Sequence, residues 1–173
     1  MTVPPQIILI AGVSGSGKTT VGTLLAERLN WDYAEADTFH SPANIAKMSE
    51  GHPLTDEDRL PWLNAIAAWM DDRLKTGRPG VVTCSALKHS YRKLLTNGRP
   101  EVQIILLTGD RETLESRLKS RTGHFFNPTL LDTQLATLEP PTSTENIPTL
   151  PITKTPEELA TQIIKATSAQ PRP

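Results

Sequence analysis

The sequence feature that most constrains this chain is the segment 12–19, GVSGSGKT, which matches the pattern G-x-x-x-x-G-K-[ST] in full. It follows an apolar, β-branched run over residues 7–11 that is typical of a buried parallel strand. It precedes residues 20–29, whose apolar positions have helical spacing. A strand, a glycine-rich loop and a helix in this order form a nest of backbone N–H groups for phosphate oxygens. A glycine-rich turn containing a lysine by chance would explain the loop but not both flanks.

The lysine and the first threonine of this loop have separate predicted roles. Lys18 would reach the β- and γ-phosphates of ATP, and the Thr19 hydroxyl would bind Mg²⁺. We therefore predict a nucleotide site that uses ATP and Mg²⁺. The residues of the loop and of the following helix that we predict to bind nucleotide are Gly12, Val13, Ser14, Gly15, Ser16, Gly17, Lys18, Thr19 and Thr20.

Length and charge narrow the kind of partner. The chain has 173 residues, enough for one domain, with 18 basic and 19 acidic residues and a net charge of −1. This balance of charges does not predict the basic surface that a nucleic-acid-binding protein needs. No apolar run is long enough to span a membrane. We therefore expect a small-molecule substrate. Cys84 is the sole cysteine, and no basic leader is evident, so we expect a cytoplasmic protein. A homodimer is compatible with the sequence, which does not define the oligomeric state.

The pattern of apolar runs predicts an α/β fold of the P-loop NTPase type, three-layered and doubly wound, with a five-stranded parallel sheet and a helical lid. After the first strand, we expect strands near residues 31–36, 80–84, 102–107 and 147–152, the last a weak edge strand because it contains two prolines. The helices are expected at about 20–29, within 40–54, at 55–75, around 91–95, at 111–119, around 131–138 and from 155 onward.

We predict a single domain over residues 1–173 with two specialised segments. A helical segment at about 38–76 would bind the substrate, and a lid at about 120–138 would close over it. The tail at 169–173 is expected to be frayed.

Asp37 is the first candidate catalytic residue outside the glycine loop. It follows the second predicted strand, and the carboxyl ends of parallel strands lie at the edge where the glycine loop also sits. There it would accept or orient the proton of an acceptor hydroxyl. On spacing alone, Asp37 could equally cap the next turn.

Short motifs beyond the loop follow one another in a distinctive order. They include Asp37-Thr38-Phe39-His40, Asp58-Arg59, Cys84-Ser85-Ala86-Leu87-Lys88, Tyr91-Arg92 and Gly123-His124-Phe125-Phe126. This series, which covers about residues 7–152, resembles the family of small bacterial gluconokinases, relatives of shikimate kinase and the nucleoside monophosphate kinases. The resemblance implies transfer of the γ-phosphoryl group of ATP to the 6-hydroxyl of D-gluconate, giving 6-phospho-D-gluconate.

Gluconate is a polyol with one carboxylate, so its pocket needs a guanidinium and several hydrogen-bonding groups. Arg59 and Arg92 are the best-placed candidates for the carboxylate, with Lys88 beside them. Each arginine could instead pair with a neighbouring carboxylate at the surface. The residues that we predict to bind the polyol are His40, His124 and Gln134.

Two arginines near the expected lid complete the predicted site. We expect Arg117 to contact the nucleotide and Arg121 to contact the γ-phosphate, although both could simply form a charged helix end. Lys18, Asp37 and Arg121 are then the predicted catalytic set. Glu35 stands where related nucleotide kinases often have a shorter carboxylate for Mg²⁺-bound water, and its role is left open.

Two other functions are compatible with part of this pattern. Another small-molecule or nucleotide kinase would share the loop and the lid but would differ at Arg59, Lys88 and Arg92. A GTPase-like switch is disfavoured because the sequence contains neither N-K-x-D nor D-x-x-G.

Overall fold

The computed structural model describes residues 4–121 and 128–173. Its strands are β1 Ile7–Ala11, β2 Asp32–Glu35, β3 Gly80–Thr83, β4 Val102–Thr108 and β5 Thr149–Pro151. Its helices are α1 Lys18–Leu29, α2 Pro42–Ser49, α3 Asp56–Thr76, α4 His89–Thr96, α5 Arg111–Ser120, α6 Pro128–Thr137 and α7 Pro156–Thr167. Within the described residues, the five strands form one parallel sheet in the order β2-β3-β1-β4-β5.

Helices cover both faces of this sheet, as the doubly wound prediction requires. Successive residues of a strand point to opposite faces, and β1 is buried on both. Ile8 and Ile10 pack in a cluster with residues of α1 and α7, whereas Ile7 and Leu9 pack in a second cluster with residues of α3 and α4. The three-layer fold class predicted from the sequence is therefore confirmed.

Helix α3 has the boundaries that its sequence predicts. Thr55 and Asp58 form a capping box at its start, and Gly77 ends it in the left-handed conformation with φ 67°. The helix carries acidic residues in its first turn and basic residues in its last. Among the described helices, none combines the length and the apolar character that crossing a bilayer requires.

The region after β2 places Asp37 in a different local structure from the one predicted. The strand ends at Glu35, and the chain continues as a short 3-10 helix over Ala36–Phe39. The Trp62 indole N–H donates to the Ala36 carbonyl oxygen at 2.7 Å, a buried hydrogen bond that joins this turn to α3. Asp37 therefore lies two residues beyond the end of the strand, in a turn that the hydrogen bond from Trp62 holds against α3.

The tail at 169–173 is ordered against the body of the protein, so the prediction that it frays is wrong. Ala169 is buried. The Trp31 indole N–H donates to the Gln170 carbonyl oxygen at 2.9 Å, and the Arg172 backbone N–H donates to the Leu29 carbonyl oxygen at 2.7 Å. The physical reason is that the buried indole of Trp31 requires an acceptor, which the tail supplies.

Candidate active site

The glycine loop between β1 and α1 has the backbone conformation that its pattern predicts. Gly12 and Gly15 have φ angles of 149° and 85°. A Cβ on Gly12 would lie 2.7 Å from Ser16 Oγ, and one on Gly15 would lie 2.9 Å from Leu118 Cγ. The loop therefore follows a path that only glycine fits at these positions, and it ends at Gly17, which caps the start of α1.

Lys18 folds back across this loop. Its Nζ donates to the carbonyl oxygens of Gly12 and Val13, at 2.9 and 3.0 Å. Burial lowers the pKa of Lys18 because it disfavours the charged ammonium, while the negative charge of Asp37 acts in the opposite direction. Arg121 lowers this pKa further through its own positive charge. Asp37 and Arg121, the other two members of the predicted catalytic set, thus both lie within electrostatic range of Lys18.

The other predicted nucleotide-binding residues surround the loop. Thr19 and Thr20 lie exposed in the first turn of α1. Ser16 Oγ is buried and has no hydrogen-bond partner among the described residues. Arg117 lies beside the loop: its Nη1 would be 3.6 Å from a Cβ placed on Gly17. The Arg117 Nη2 donates to the Ile152 carbonyl oxygen at 2.5 Å. These positions are compatible with the predicted roles at the nucleotide.

Gln134 lies elsewhere than its predicted role requires. The prediction places it against the polyol, but its Oε1 accepts a hydrogen bond from the Ser14 backbone N–H at 2.7 Å. Helix α6 therefore contacts the glycine loop directly, and Gln134 lies on the nucleotide side of the site. His124, also predicted to bind the polyol, lies outside the described residues.

His40 directly follows the 3-10 helix that contains Asp37, and it packs against Trp62 of α3. Its ring stacks on Trp62 with centroids 4.4 Å apart and planes 8° from parallel. Burial lowers the pKa of His40, the charge of Asp37 raises it, and the charge of Arg59 lowers it. Asn44 Nδ2 approaches His40 Nδ1 at 3.5 Å and donates to the Asp58 carbonyl oxygen at 2.8 Å. His40 thus lies within electrostatic range of both Asp37 and Arg59, the predicted carboxylate-binding arginine.

A cluster of two cations, one phenol and one carboxylate lies next to His40; we call Asp56, Arg59, Lys88 and Tyr91 the cationic cluster. Arg59 Nη1 donates to the Tyr91 hydroxyl at 3.1 Å, and Tyr91 in turn donates to the Asp56 carboxylate. Lys88 Nζ donates to the two Asp56 oxygens at 2.9 and 3.1 Å. Arg59 Cζ and Lys88 Nζ lie 5.8 and 5.6 Å, respectively, from the centre of the Tyr91 ring, within the range of cation–π interactions.

Sequence reasoning missed the bridging members of this cluster. Asp56 is an exposed carboxylate in the first turn of α3, where the helix dipole already favours an acidic residue, so its position in the sequence does not indicate a binding role. Tyr91 reads as a core residue of an amphipathic helix, and its ring is indeed buried. Only its hydroxyl reaches the site. The helical spacing of apolar residues predicts that the Tyr91 ring is buried, but it does not predict which groups the hydroxyl contacts.

Arg92 does not lie in the cationic cluster, contrary to its prediction as a carboxylate ligand. It is buried, with 2% of its surface exposed. Its Nη1 donates to the carbonyl oxygens of Ala86 and Leu87, both at 3.1 Å, its Nη2 donates to the Glu139 carbonyl oxygen at 3.0 Å, and its Nε donates to Glu145 at 3.0 Å. Every nitrogen of the guanidinium is used within the protein, so Arg92 supports the loop before Lys88.

The first turn of α3 yields a prediction for the pH dependence of stability. The Lys47 ammonium and the Thr55 backbone N–H lower the pKa of Asp58 from 3.8 to about 2. A carboxylate whose pKa is lower in the folded state stabilises that state above the unfolded pKa and stops doing so as the pH falls through the folded one. We expect Asp58→Asn to lower the midpoint of thermal unfolding at pH 6, and the difference from wild type to close between about pH 4 and pH 2. A difference that stays constant over this range would contradict the assignment.

The side chains at the carboxyl ends of β1 and β2 offer oxygen donors for a divalent cation. The Tyr33 hydroxyl donates to Glu35 Oε1. Burial raises the pKa of Tyr33 above its ordinary value, and the nearby Thr83 and Thr19 side chains act in the opposite direction. Glu35 and Thr19 therefore lie near one phenol group, and Glu35 is also close enough to Lys18 to raise the lysine pKa.

This donor set fits Mg²⁺ on chemical grounds. Mg²⁺ prefers oxygen ligands and is usually held by one or two carboxylates together with phosphate oxygens and water. In the described residues, no group of three or more His, Cys, Asp and Glu side chains could hold a metal alone. A site completed by nucleotide phosphates is the arrangement that these residues would support, with Thr19 as the direct ligand.

The doubly wound parallel sheet carries the glycine loop after its first strand, and Lys18 of this loop lies within electrostatic range of Asp37, which follows the second strand. These features define a P-loop kinase. A family model described as an AAA domain matches residues 7–141. A gluconokinase from Gluconobacter oxydans is 42% identical over 170 residues, which cover 98% of this chain and 96% of the relative.

Solved structures agree with this relationship over nearly the whole chain. That of a sugar kinase from Janibacter sp. has a TM-score of 0.90 and 44% identity, and the match covers 97% of each chain. That of a gluconokinase from Sinorhizobium meliloti has a TM-score of 0.84 and 41% identity and covers 97% of this chain and 94% of that one. The chain belongs to the gluconokinase family.

Proposed function

We propose that this chain transfers the γ-phosphoryl group of ATP to the 6-hydroxyl of D-gluconate, with Mg²⁺, and releases ADP and 6-phospho-D-gluconate. The observation that carries the proposal is that Asp37 lies within electrostatic range of Lys18, and that His40 lies within electrostatic range of both Asp37 and Arg59 of the cationic cluster. This arrangement supports a phosphate-binding role for Lys18, a proton-accepting role for Asp37 and a carboxylate-binding role for Arg59 and Lys88.

In the proposed reaction, Asp37 accepts or orients the proton of the 6-hydroxyl. The hydroxyl oxygen forms a bond to the γ-phosphorus while the bond from that phosphorus to the ADP oxygen breaks, and the hydroxyl proton is released. Lys18 and Arg121 stabilise the negative charge of the transferred group. Mg²⁺, when bound through Thr19 and the phosphates, would supply further neutralisation of this charge.

In this proposal, the carboxylate end and the hydroxyl groups of the substrate are bound by the cationic cluster and by His40. Arg59 and Lys88 would bind the carboxylate, and His40 would hydrogen-bond to the polyol. The segment at about 38–76 would act as the substrate-binding part and residues 120–138 as the lid of one kinase domain. Closure of the lid would exclude water and so limit hydrolysis of ATP.

The direct test is ADP release, measured with a coupled assay across D-gluconate, other sugar acids, shikimate and nucleoside monophosphates. We expect D-gluconate to have the highest kcat/KM. Turnover with another acceptor but not with gluconate would favour a different small-molecule kinase. Tight nucleotide binding without turnover of any acceptor would instead favour a nucleotide-dependent switch.

Arg59 provides a prediction that separates substrate binding from nucleotide binding. Loss of a charged hydrogen-bond partner from a carboxylate is worth about 1.5–3 kcal/mol, so we expect Arg59→Ala to raise KM for gluconate by roughly tenfold to a hundredfold. KM for ATP should stay near the wild-type value, because Arg59 contacts Tyr91, which lies on α4 rather than on the glycine loop. Both constants are measured by steady-state kinetics.

The matched control for Arg59 is Arg59→Lys, which keeps the charge but loses the planar fork. We expect an intermediate KM for gluconate with this variant. An equal rise of KM for gluconate and ATP in Arg59→Ala would show instead that the arginine supports the structure of the whole site.

A further inference from the structure

Tyr33 is a polar residue at the nucleotide site to which the proposed reaction gives no task. It lies on β2, and its hydroxyl donates to Glu35 Oε1, two residues further along the same strand. Side chains at positions i and i+2 of a strand point to the same face, so this contact is a natural consequence of the strand geometry. The side chains of Thr83 on β3 and Thr19 at the start of α1 lie near the same hydroxyl and act to lower the pKa of Tyr33.

Space for this phenol is made by a glycine inside α1. A helix interior is an unfavourable place for glycine, yet Gly22 is buried in the second turn. A Cβ at this position would lie 2.9 Å from Thr83 Cγ2 and 3.2 Å from Tyr33 Cε2. Helix α1 thus packs on the Tyr33 ring and on Thr83 so closely that a side chain at position 22 would displace one of them.

We propose that Tyr33 is a positioning residue that fixes the Glu35 carboxylate towards the Mg²⁺ of the bound nucleotide, with Gly22 providing the space that this requires. The inference rests on the proposed use of Mg²⁺. Tyr33 itself touches neither substrate nor metal; it acts through Glu35.

The length of Glu35 explains why such a residue is needed. Glutamate has one more rotatable bond than aspartate, so its carboxylate samples more positions, and each position that does not face the metal weakens binding. The Tyr33 ring is packed against α1, so the hydrogen bond from its hydroxyl restricts the Glu35 carboxylate to one arrangement. The partners of carboxylates near a metal commonly affect metal affinity in this way, by about 10–100-fold when removed.

The experiment is a titration of the enzyme–ADP complex with Mn²⁺, followed by electron paramagnetic resonance, with Mg²⁺ as competitor. Tyr33→Phe keeps the ring and removes only the hydroxyl. We expect it to raise the apparent dissociation constant of Mn²⁺ by about tenfold. The matched control is Thr76→Val, which likewise removes a single hydroxyl, one that donates to the Asp72 carbonyl oxygen within α3, and it should leave Mn²⁺ affinity at the wild-type value.

A double-mutant cycle separates positioning from general damage. If Tyr33 acts through Glu35, then Tyr33→Phe should have no further effect on Mn²⁺ affinity once Glu35→Gln is present. Additive losses in the double variant, or unchanged Mn²⁺ affinity in Tyr33→Phe, would overturn the proposal.

Gly22→Ala provides a second route that leaves both side chains in place. Because the added methyl group would push against the Tyr33 ring and Thr83, we expect this variant to weaken Mn²⁺ binding as well. Wild-type affinity in a folded Gly22→Ala protein would contradict the inference. None of these measurements contains gluconate, so a failure to phosphorylate gluconate would leave their outcome unaffected and would count only against the proposed function.

Discussion

Lys18→Met is expected to reduce kcat by about 10²–10³-fold while the protein remains folded. The substitution keeps the length of the side chain but removes the ammonium that would neutralise charge on the phosphoryl group, and losing one such preorganised group has typically this effect. The fold should survive, because the two hydrogen bonds of the Lys18 ammonium go to backbone carbonyl oxygens of the glycine loop, and the substitution leaves that backbone in place. Turnover is measured by ADP release, and folding by circular dichroism.

Lys165→Met is the matched control for this prediction. Lys165 is exposed in the last turn of α7, away from the glycine loop. It should have wild-type kcat and KM values. Turnover near the wild-type value in Lys18→Met would show that the ammonium is not needed for the chemical step, and the proposed role would have to be given up.

Asp37→Asn is expected to have the second large effect, a fall in kcat of about 10²–10⁴-fold. Asparagine has the shape of aspartate and can still hydrogen-bond to the substrate, but it cannot take the proton of the acceptor hydroxyl. KM for gluconate should therefore change little. Because the side chain is exposed and lies in a turn held by Trp62, the substitution leaves the core unchanged.

Steady-state kinetics with both substrates check this prediction, and Asp72→Asn on the exposed surface of α3 serves as the control. A rise in KM for gluconate with an unchanged kcat would mean that Asp37 only binds the substrate. In that case the proton acceptor would have to be sought elsewhere in the site.

Most of the fold was predictable from the sequence because its signals are local. The predicted limits of β1 agree with the structure to the residue, and the start and stop signals of α3 at Thr55 and Gly77 are confirmed. Because strands and helices alternate along the chain, only a few topologies are possible, and the three-layered arrangement with a parallel sheet could be predicted from them. The glycine loop was predictable for the same reason, since its chemistry lies within eight consecutive residues.

The errors concern residues whose partners are far away in the sequence. Arg92 could have faced the substrate or the protein, and the deciding contact with Glu145 lies 53 positions away. Gln134 meets Ser14 across 120 positions. The tail was expected to fray because terminal residues usually do, whereas its acceptor role for Trp31 spans 139 positions. Patterns of spacing contain no information about such pairs.

The attachment of the chain after α6 to the loop before Lys88 has a thermodynamic consequence. The Glu139 backbone N–H donates to the Leu87 carbonyl oxygen at 2.8 Å, and Arg92 holds the carbonyl groups of both residues. Since α6 also contacts the glycine loop through Gln134, a shift of this helix would be transmitted to both halves of the cleft. Occupancy of one half should therefore alter affinity in the other, and by linkage the effect must be equal in both directions.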